Sequence, residues 1–214
     1  MESFGSGFFA SLKGKIVLCT AAHVVAQSEN ELDVLGYFGG VGVDLKGVKF
    51  FCSDESDIAI APIENLRRHI APHHIVTALE DNSPKHPWSD SVALLGFPFT
   101  LNRLGGHKDD DLRLLKVLAD YIPSPPAGLT RQETRSPIFL KDPGKSRWFQ
   151  EGGRSILPKL AGVSGGPALQ LFQYQESGEF FFQMVGLTIE HHVGKCYVAT
   201  HRNELRRAAE EIVG

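Results

Sequence analysis

Three short stretches of this 214-residue chain carry residue types that could act together on a carbonyl carbon: Thr20-Ala21-Ala22-His23, Asp57-Ile58-Ala59-Ile60 and Gly162-Val163-Ser164-Gly165-Gly166-Pro167. A serine hydroxyl is a poor nucleophile at neutral pH and needs a base within hydrogen-bond reach, and imidazole has the pKa for that task. His23 is the expected base. Asp57 is the expected orienter, a carboxylate that holds the imidazole in one tautomer and stabilises the imidazolium formed when the hydroxyl gives up its proton. The glycines around Ser164 allow a turn that aims backbone N–H groups into one concavity, as a tetrahedral oxyanion requires. The expected donors are the amides of Gly162 and Ser164. His, Asp, Ser is also one of the chain orders in which such a triad occurs. The expected chemistry is peptide-bond hydrolysis through an acyl-enzyme, with no cofactor and no metal.

Competing readings of the same residues are weaker. Gly162 to Gly166 match the Gly-x-Ser-x-Gly elbow, but that turn must open a helix and be followed by an acid and a histidine. Here Ala168-Leu169-Gln170-Leu171-Phe172-Gln173-Tyr174 reads as a strand, and no Asp follows Ser164. Asp54 is a rival orienter, but it lies earlier in the turn and lacks the Ile-Ala-Ile that follows Asp57. His69 and His73 have the spacing of zinc ligands on a helix, yet Pro72 interrupts that helix. With His74, His191 and His192 they read as surface loop histidines, and Asp109-Asp110-Asp111 as a solvated loop.

The elements that must position these residues are short strands. Phe8 to Leu12 and Lys15 to Cys19, joined at Lys13-Gly14, form a hairpin that delivers His23 just past its second strand. Val48 to Cys52 and Ile58 to Ile63 follow, with Ser53 to Ser56 as their turn. Ile75 to Leu79 and Ser91 to Gly96 would close a first barrel, and the Gly- and Asp-rich stretch 102–111 would link it to a second. Leu112 to Ile122 opens that second barrel and ends at Pro123-Ser124-Pro125-Pro126. Residues 130–160 are expected as loops around a specificity pocket, apart from the short apolar piece Pro137 to Leu140. Phe180 to Ile189 and Lys195 to Thr200 are the last strands. From Asn203 onward, Leu205, Ala208, Ala209 and Ile212 share one helical face.

Gly5-Ser6-Gly7-Phe8-Phe9, Thr20 to Val25, Ser56 to Ile60, Leu95-Gly96-Phe97-Pro98, Ala161 to Ala168 and Val185-Gly186-Leu187-Thr188-Ile189 follow one another in an order that resembles the chymotrypsin/trypsin-like serine peptidases, particularly bacterial, HtrA-like members. The resemblance implies an all-β fold of two six-stranded antiparallel Greek-key barrels with a C-terminal α-helix. It implies a single peptidase domain over 1–214, with an N-terminal barrel to about 101, a C-terminal barrel over about 112–200 and the helix over about 201–213. It further implies a serine endopeptidase whose specificity pocket is lined by Pro158, Lys159, Leu160, Thr188, Ile189 and Glu190. Pro158 stands near where an acid would select Arg or Lys, so a hydrophobic or small side chain is expected, with Glu190 able to supply a charge from the opposite wall. Val163 occupies the position of the Asp that receives a new N-terminus in trypsin-like zymogens. An apolar side chain cannot make that ion pair, so control by a regulatory protein or flanking domain is expected instead. The alternative is a catalytically silent binding module on the same fold.

Composition agrees with a protein or peptide substrate. A net charge of -3 without a dense basic cluster disfavours nucleic acid. No apolar run reaches the roughly 18 residues of a membrane span, and the N-terminus lacks the pattern of a signal peptide, so a cytoplasmic location is expected. Cys19, Cys52 and Cys196 are an odd set without framework spacing, expected to be reduced, buried thiols.

Overall fold

The first hairpin forms where the sequence places it. Strands β1 (Phe8–Leu12) and β2 (Lys15–Thr20) pair antiparallel from Phe8↔Cys19 to Leu12↔Lys15. Their turn, Lys13-Gly14, has φ of 49° and 76°, the two positive values of a type I′ turn, whose twist suits the flanking strands. Phe8, Ala10 and Leu12 face one core and Phe9 another, which explains why this strand is apolar on both sides. In the computed structural model the residues described are 5–28, 35–38, 41–63, 70, 75–79, 85–97, 114–129, 134–142, 149–150, 153–154 and 162–213.

Helix α1 (Ala22–Ser28) follows β2, then the hairpin of β3 (Leu35–Phe38) and β4 (Val41–Asp44). Strands β5 (Phe51–Ser53), β6 (Ile58–Pro62) and β7 (Ile75–Ala78) complete a five-stranded sheet in the order β5-β6-β2-β1-β7, in which β1 and β7 run parallel. Next come β8 (Lys85–Gly96), β9 (Leu115–Ile122), β10 (Pro137–Lys141), a small hairpin of β11 (Phe149–Gln150) and β12 (Gly153–Arg154), β13 (Pro167–Tyr174), β14 (Phe180–His192) and β15 (Cys196–His201). Six of these close a barrel in the order β10-β15-β14-β13-β8-β9. Helix α2 (Arg202–Val213) ends the described chain. Among the described residues no helix is long and apolar enough to cross a membrane.

The expected pair of six-stranded barrels is met in part: the described residues hold one closed six-stranded barrel and, in the N-terminal half, a five-stranded sheet that does not close among them. Ser91 to Gly96 does not close the N-terminal half. It belongs to β8, which lies between β13 and β9, so the C-terminal barrel begins well before residue 112. The reason is side-chain alternation, because Val92 and Leu94 enter the barrel core alongside Leu115, Val117, Ala168 and Tyr197. The short apolar piece Pro137 to Leu140, set apart from the loops expected around it, is a barrel strand that pairs with β15 over its whole length. The stretch 102–111 and the histidines at 69, 73 and 74 lie outside the described residues.

One core joins the two halves. Leu12, Ile58 and Ile60 from the first sheet pack with Met184, Leu187, Ile189 and Val198 from the barrel and with Leu205, Ala209 and Val213 of α2. Each of the Leu, Ile, Val and Met side chains among them stabilises the fold by about 1.5–3 kcal/mol. Of the cysteines, Cys19 and Cys196 are buried here, but Cys52 is exposed on edge strand β5, against the expectation for all three.

His201 closes β15 and serves as the cap of α2, its Nδ1 accepting the N–H of Asn203 at 3.2 Å. Burial, followed by the charge of Arg202, holds its pKa below the ordinary histidine value. Its neutral form is therefore favoured by folding. In the window between the depressed folded pKa and the unfolded value of about 6.5, the unfolded chain binds more protons, so stability falls as pH falls. We expect urea midpoints to decline below about pH 6.5, and His201→Asn, which keeps a cap without a titrating ring, to lessen that decline.

Candidate active site

His23 is the second residue of α1, immediately after the Thr20-Ala21 exit from β2. Asp57 stands at the mouth of β6, in the turn that returns from β5, with φ of 49°. Such a backbone value is uncommon for a non-glycine residue, though Asp tolerates it better than most. Three contacts hold that turn. Asp57 N–H donates to Asp54 C=O, the Asp57 carbonyl accepts from Ala22 N–H at 3.2 Å, and Thr200 of β15 donates its hydroxyl to Ser56 C=O at 2.7 Å. The last of these ties the Asp57 turn to the barrel.

The Asp57 side chain is only 2% exposed, and both its oxygens are used on one residue. Oδ1 accepts the backbone N–H of His23 at 3.0 Å, and Oδ2 lies 2.7 Å from His23 Nδ1. Because an ionised carboxylate can only accept, this geometry puts the ring proton on Nδ1 and leaves Nε2 with its lone pair available. His23 is one-third exposed, so the ring is gripped on one side and open on the other.

Ser164 sits in the turn before β13 and is carried against the His23 segment by Gly5 and Gly165. A Cβ on Gly5 would overlap the Val24 side chain and lie 3.0 Å from Ser164 C=O. One on Gly165, at φ of 89°, would overlap Ser6 C=O and Thr20 Oγ1. Gly165 thus meets the backbone of Ser6, and Gly5 the Val24 side chain next to His23. The loop carbonyls all have partners: Gly162 C=O accepts from Ser6 Oγ at 2.6 Å, Val163 C=O from Gly166 N–H at 3.0 Å and Ser164 C=O from Ser6 N–H at 2.7 Å. By contrast, among the described residues no acceptor faces the N–H groups of Gly162, Val163 or Ser164. Carbonyls held and amides unpaired are what a backbone anion site consists of.

The Ser164 hydroxyl donates to Ile189 C=O on β14 at 3.0 Å, and among the described residues no hydrogen bond joins it to His23. Strand β14 also anchors the loop, through Gly165 N–H to Thr188 C=O at 2.7 Å and Thr188 N–H to Gly166 C=O at 2.9 Å.

The expected pocket residues divide. Pro158, Lys159 and Leu160 lie outside the described residues. Thr188, Ile189 and Glu190 are consecutive on β14, beside Ser164, at a register shift against β15. Among the described residues the buried Thr188 hydroxyl meets no partner, nor does that of Tyr197 on β15. Burial, with the nearby Asp142 charge, pushes the Tyr197 pKa well up. Glu190 is engaged by His192 Nε2 at 2.6 Å. His191 and His192 prove to be strand residues and not loop histidines: His191 stacks on Tyr197 with ring centroids 4.4 Å apart and places Nε2 3.1 Å from the buried Asp142.

Sequence reading missed the part played by Ser6, Thr20 and Thr200. Ser6 and Thr20 lay inside stretches already singled out, but nothing local to them announces a contact with residue 162 or 165.

No protein-family model and no curated protein sequence matches this chain. A solved structure titled "Crystal structure of Rv3671c protease, inactive form" is similar to it at a TM-score of 0.52 and 17% sequence identity, over 98% of this chain and 84% of that one. With its barrel, second sheet and C-terminal helix, the chain thus shares the fold of that protease.

Proposed function

We propose that this protein is a trypsin-like serine endopeptidase that cleaves protein or peptide substrates through an acyl-enzyme. The observation that carries this reading is the His23–Asp57 pair, in which a buried carboxylate uses both oxygens to set one imidazole tautomer and position. Beside it lies a serine loop in which, among the described residues, no acceptor meets the N–H groups of Gly162, Val163 and Ser164.

In this reading His23 Nε2 takes the Ser164 proton as Oγ attacks the scissile carbonyl. Asp57 stabilises the resulting imidazolium, and the amides of Gly162 and Ser164 hold the oxyanion. His23 then protonates the leaving amine; in the second half it activates water, which releases the acid and restores the serine. Before attack, Ser164 Oγ must turn from Ile189 C=O towards His23, a rotation about one side-chain bond. Catalytic hydrogen bonds commonly tighten only when substrate arrives. The backbone of Thr188 to Glu190, beside Ser164 on β14, is the proposed substrate rail, and Pro158, Lys159 and Leu160 are proposed to contribute to the specificity pocket. Control by a regulatory protein or flanking domain fits a chain with Val163 in place of the zymogen-type acid.

A second reading, a catalytically silent binding module, is favoured by one observation: the Ser164 hydroxyl is engaged with Ile189 and not with His23. Labelling with a fluorophosphonate, followed by mass spectrometric mapping, separates the two. The expected result is one adduct per chain on Ser164, absent from Ser164→Ala and lost in His23→Ala. A folded native chain that takes no label would overturn the hydrolase reading in favour of the second.

A further inference from the structure

We infer that Ser6 is a positioning residue for the oxyanion loop, a role that rests on the hydrolase reading above. Ser6 is 6% exposed, and every polar atom it has is hydrogen-bonded, the hydroxyl and the N–H to residues of the barrel half and the carbonyl to β2. Its hydroxyl donates to Gly162 C=O at 2.6 Å and accepts Phe97 N–H at 2.8 Å. Its N–H donates to Ser164 C=O at 2.7 Å, and its carbonyl accepts the Thr20 hydroxyl at 2.7 Å. One side chain and the two peptide groups that flank it thus connect the strand leading to His23, the strand end after Gly96 and both ends of the Gly162–Ser164 loop.

The consequence follows from peptide planarity. In a trans peptide the C=O of one residue and the N–H of the next point in opposite directions. Val163 C=O, held by Gly166, therefore fixes the direction of the Ser164 N–H. Gly162 has no such partner within its own turn: its φ is 96°, and a glycine there can exchange between backbone basins at little steric cost. By the same planarity the Ser6 hydroxyl, in holding Gly162 C=O, fixes the Gly162–Val163 peptide and with it the Val163 N–H, and it pins the end of the loop from which the Gly162 N–H projects through the two single bonds of Gly162. The approach is tight, since a Cβ on Gly96 would come within 3.0 Å of Ser6 Oγ and 2.9 Å of Val163. Ser6 touches neither nucleophile nor base through its side chain, so its effect is on the orientation of an oxyanion donor and not on proton transfer.

The test is the concentration dependence of fluorophosphonate labelling for the native chain, Ser6→Ala and Ser6→Cys, with thermal melts of each. Loss of one such hydrogen bond is expected to lower the saturating labelling rate of Ser6→Ala about tenfold, with half-saturating probe concentration unchanged. Ser6→Cys, with a weaker donor of similar shape, should fall between. The amide resonance of Gly162 should broaden or split in Ser6→Ala, a readout that general loosening of the fold would not confine to this loop. Equal saturating rates in the native chain and the folded variants would overturn the role of Ser6 and leave the hydrolase reading standing. A native chain that takes no label would overturn both. If Ser6→Ala melts below the assay temperature, Ser6→Cys decides: a native rate overturns the role, and a reduced rate at native half-saturation supports it.

Discussion

Asp57→Asn is expected to leave the chain folded and to lower the labelling rate of Ser164, and any peptidase turnover, by about 10⁴-fold. The magnitude follows from what the carboxylate does here. Both oxygens accept from His23, one from the backbone N–H and one from Nδ1. An amide has a single oxygen. If that oxygen keeps the backbone N–H, the amide NH₂ faces Nδ1 and can only donate, so the ring proton moves to Nε2. A histidine protonated on Nε2 cannot accept the serine proton. The replacement is close in size, and the turn that carries residue 57 is held through backbone groups and Thr200, so the fold should survive. Nitrogen-resolved NMR of His23 gives a check that does not depend on turnover: the native chain should carry its neutral-form proton on Nδ1 and Asp57→Asn on Nε2. A native spectrum with the proton on Nε2 would contradict the proposed role of Asp57 at the outset.

Gly165→Ala should destabilise the chain by roughly 3–5 kcal/mol. Two costs combine. The position has φ of 89°, where an L-residue is strained, and its new Cβ would overlap the Ser6 carbonyl oxygen and Thr20 Oγ1. Neither obstacle is the free end of a flexible side chain: the Ser6 carbonyl accepts from Thr20, and the Ser6 N–H is bonded to Ser164. The loop must therefore move away from β2, separating Ser164 from the His23 segment. Gly14→Ala is the matched control, because its φ of 76° carries a similar backbone cost while a Cβ there meets nothing within 4 Å. Urea denaturation should show Gly165→Ala losing well over the loss of Gly14→Ala, and equal losses would mean that the close approach of Ser6 contributes nothing.

Much of the site was legible in the chain because its chemistry is written in local residue types. A glycine-flanked serine, a histidine after an apolar strand and an aspartate before another each announce a role that neighbouring residues support. The elements legible in the same way are those whose partners are near in sequence. The β1–β2 hairpin follows from a two-residue turn that only Lys13-Gly14 could make. Helix α2 follows from apolar positions at helical spacing, and Leu205 and Ala209 are fully buried as that spacing requires.

What depended on the tertiary structure is whatever is settled between distant strands of similar composition. Ser91 to Gly96 is an apolar strand that could have joined either half; pairing with β13, some 75 residues later, decides it, and no local signal encodes that choice. His191 looks like a surface histidine until β10 brings the buried Asp142 to its ring, and Ser6 looks like a turn residue until its hydroxyl meets Gly162 across 156 residues. The sequence by itself determined which groups could perform the proposed chemistry, since the hydroxyl, imidazole and carboxylate and the permissive glycines are properties of residues. The tertiary structure alone decided how they are held. A carboxylate that fixes a tautomer, a carbonyl that fixes a peptide plane and a hydroxyl turned to Ile189 are hydrogen bonds between segments, and these exist only once the chain has closed on itself.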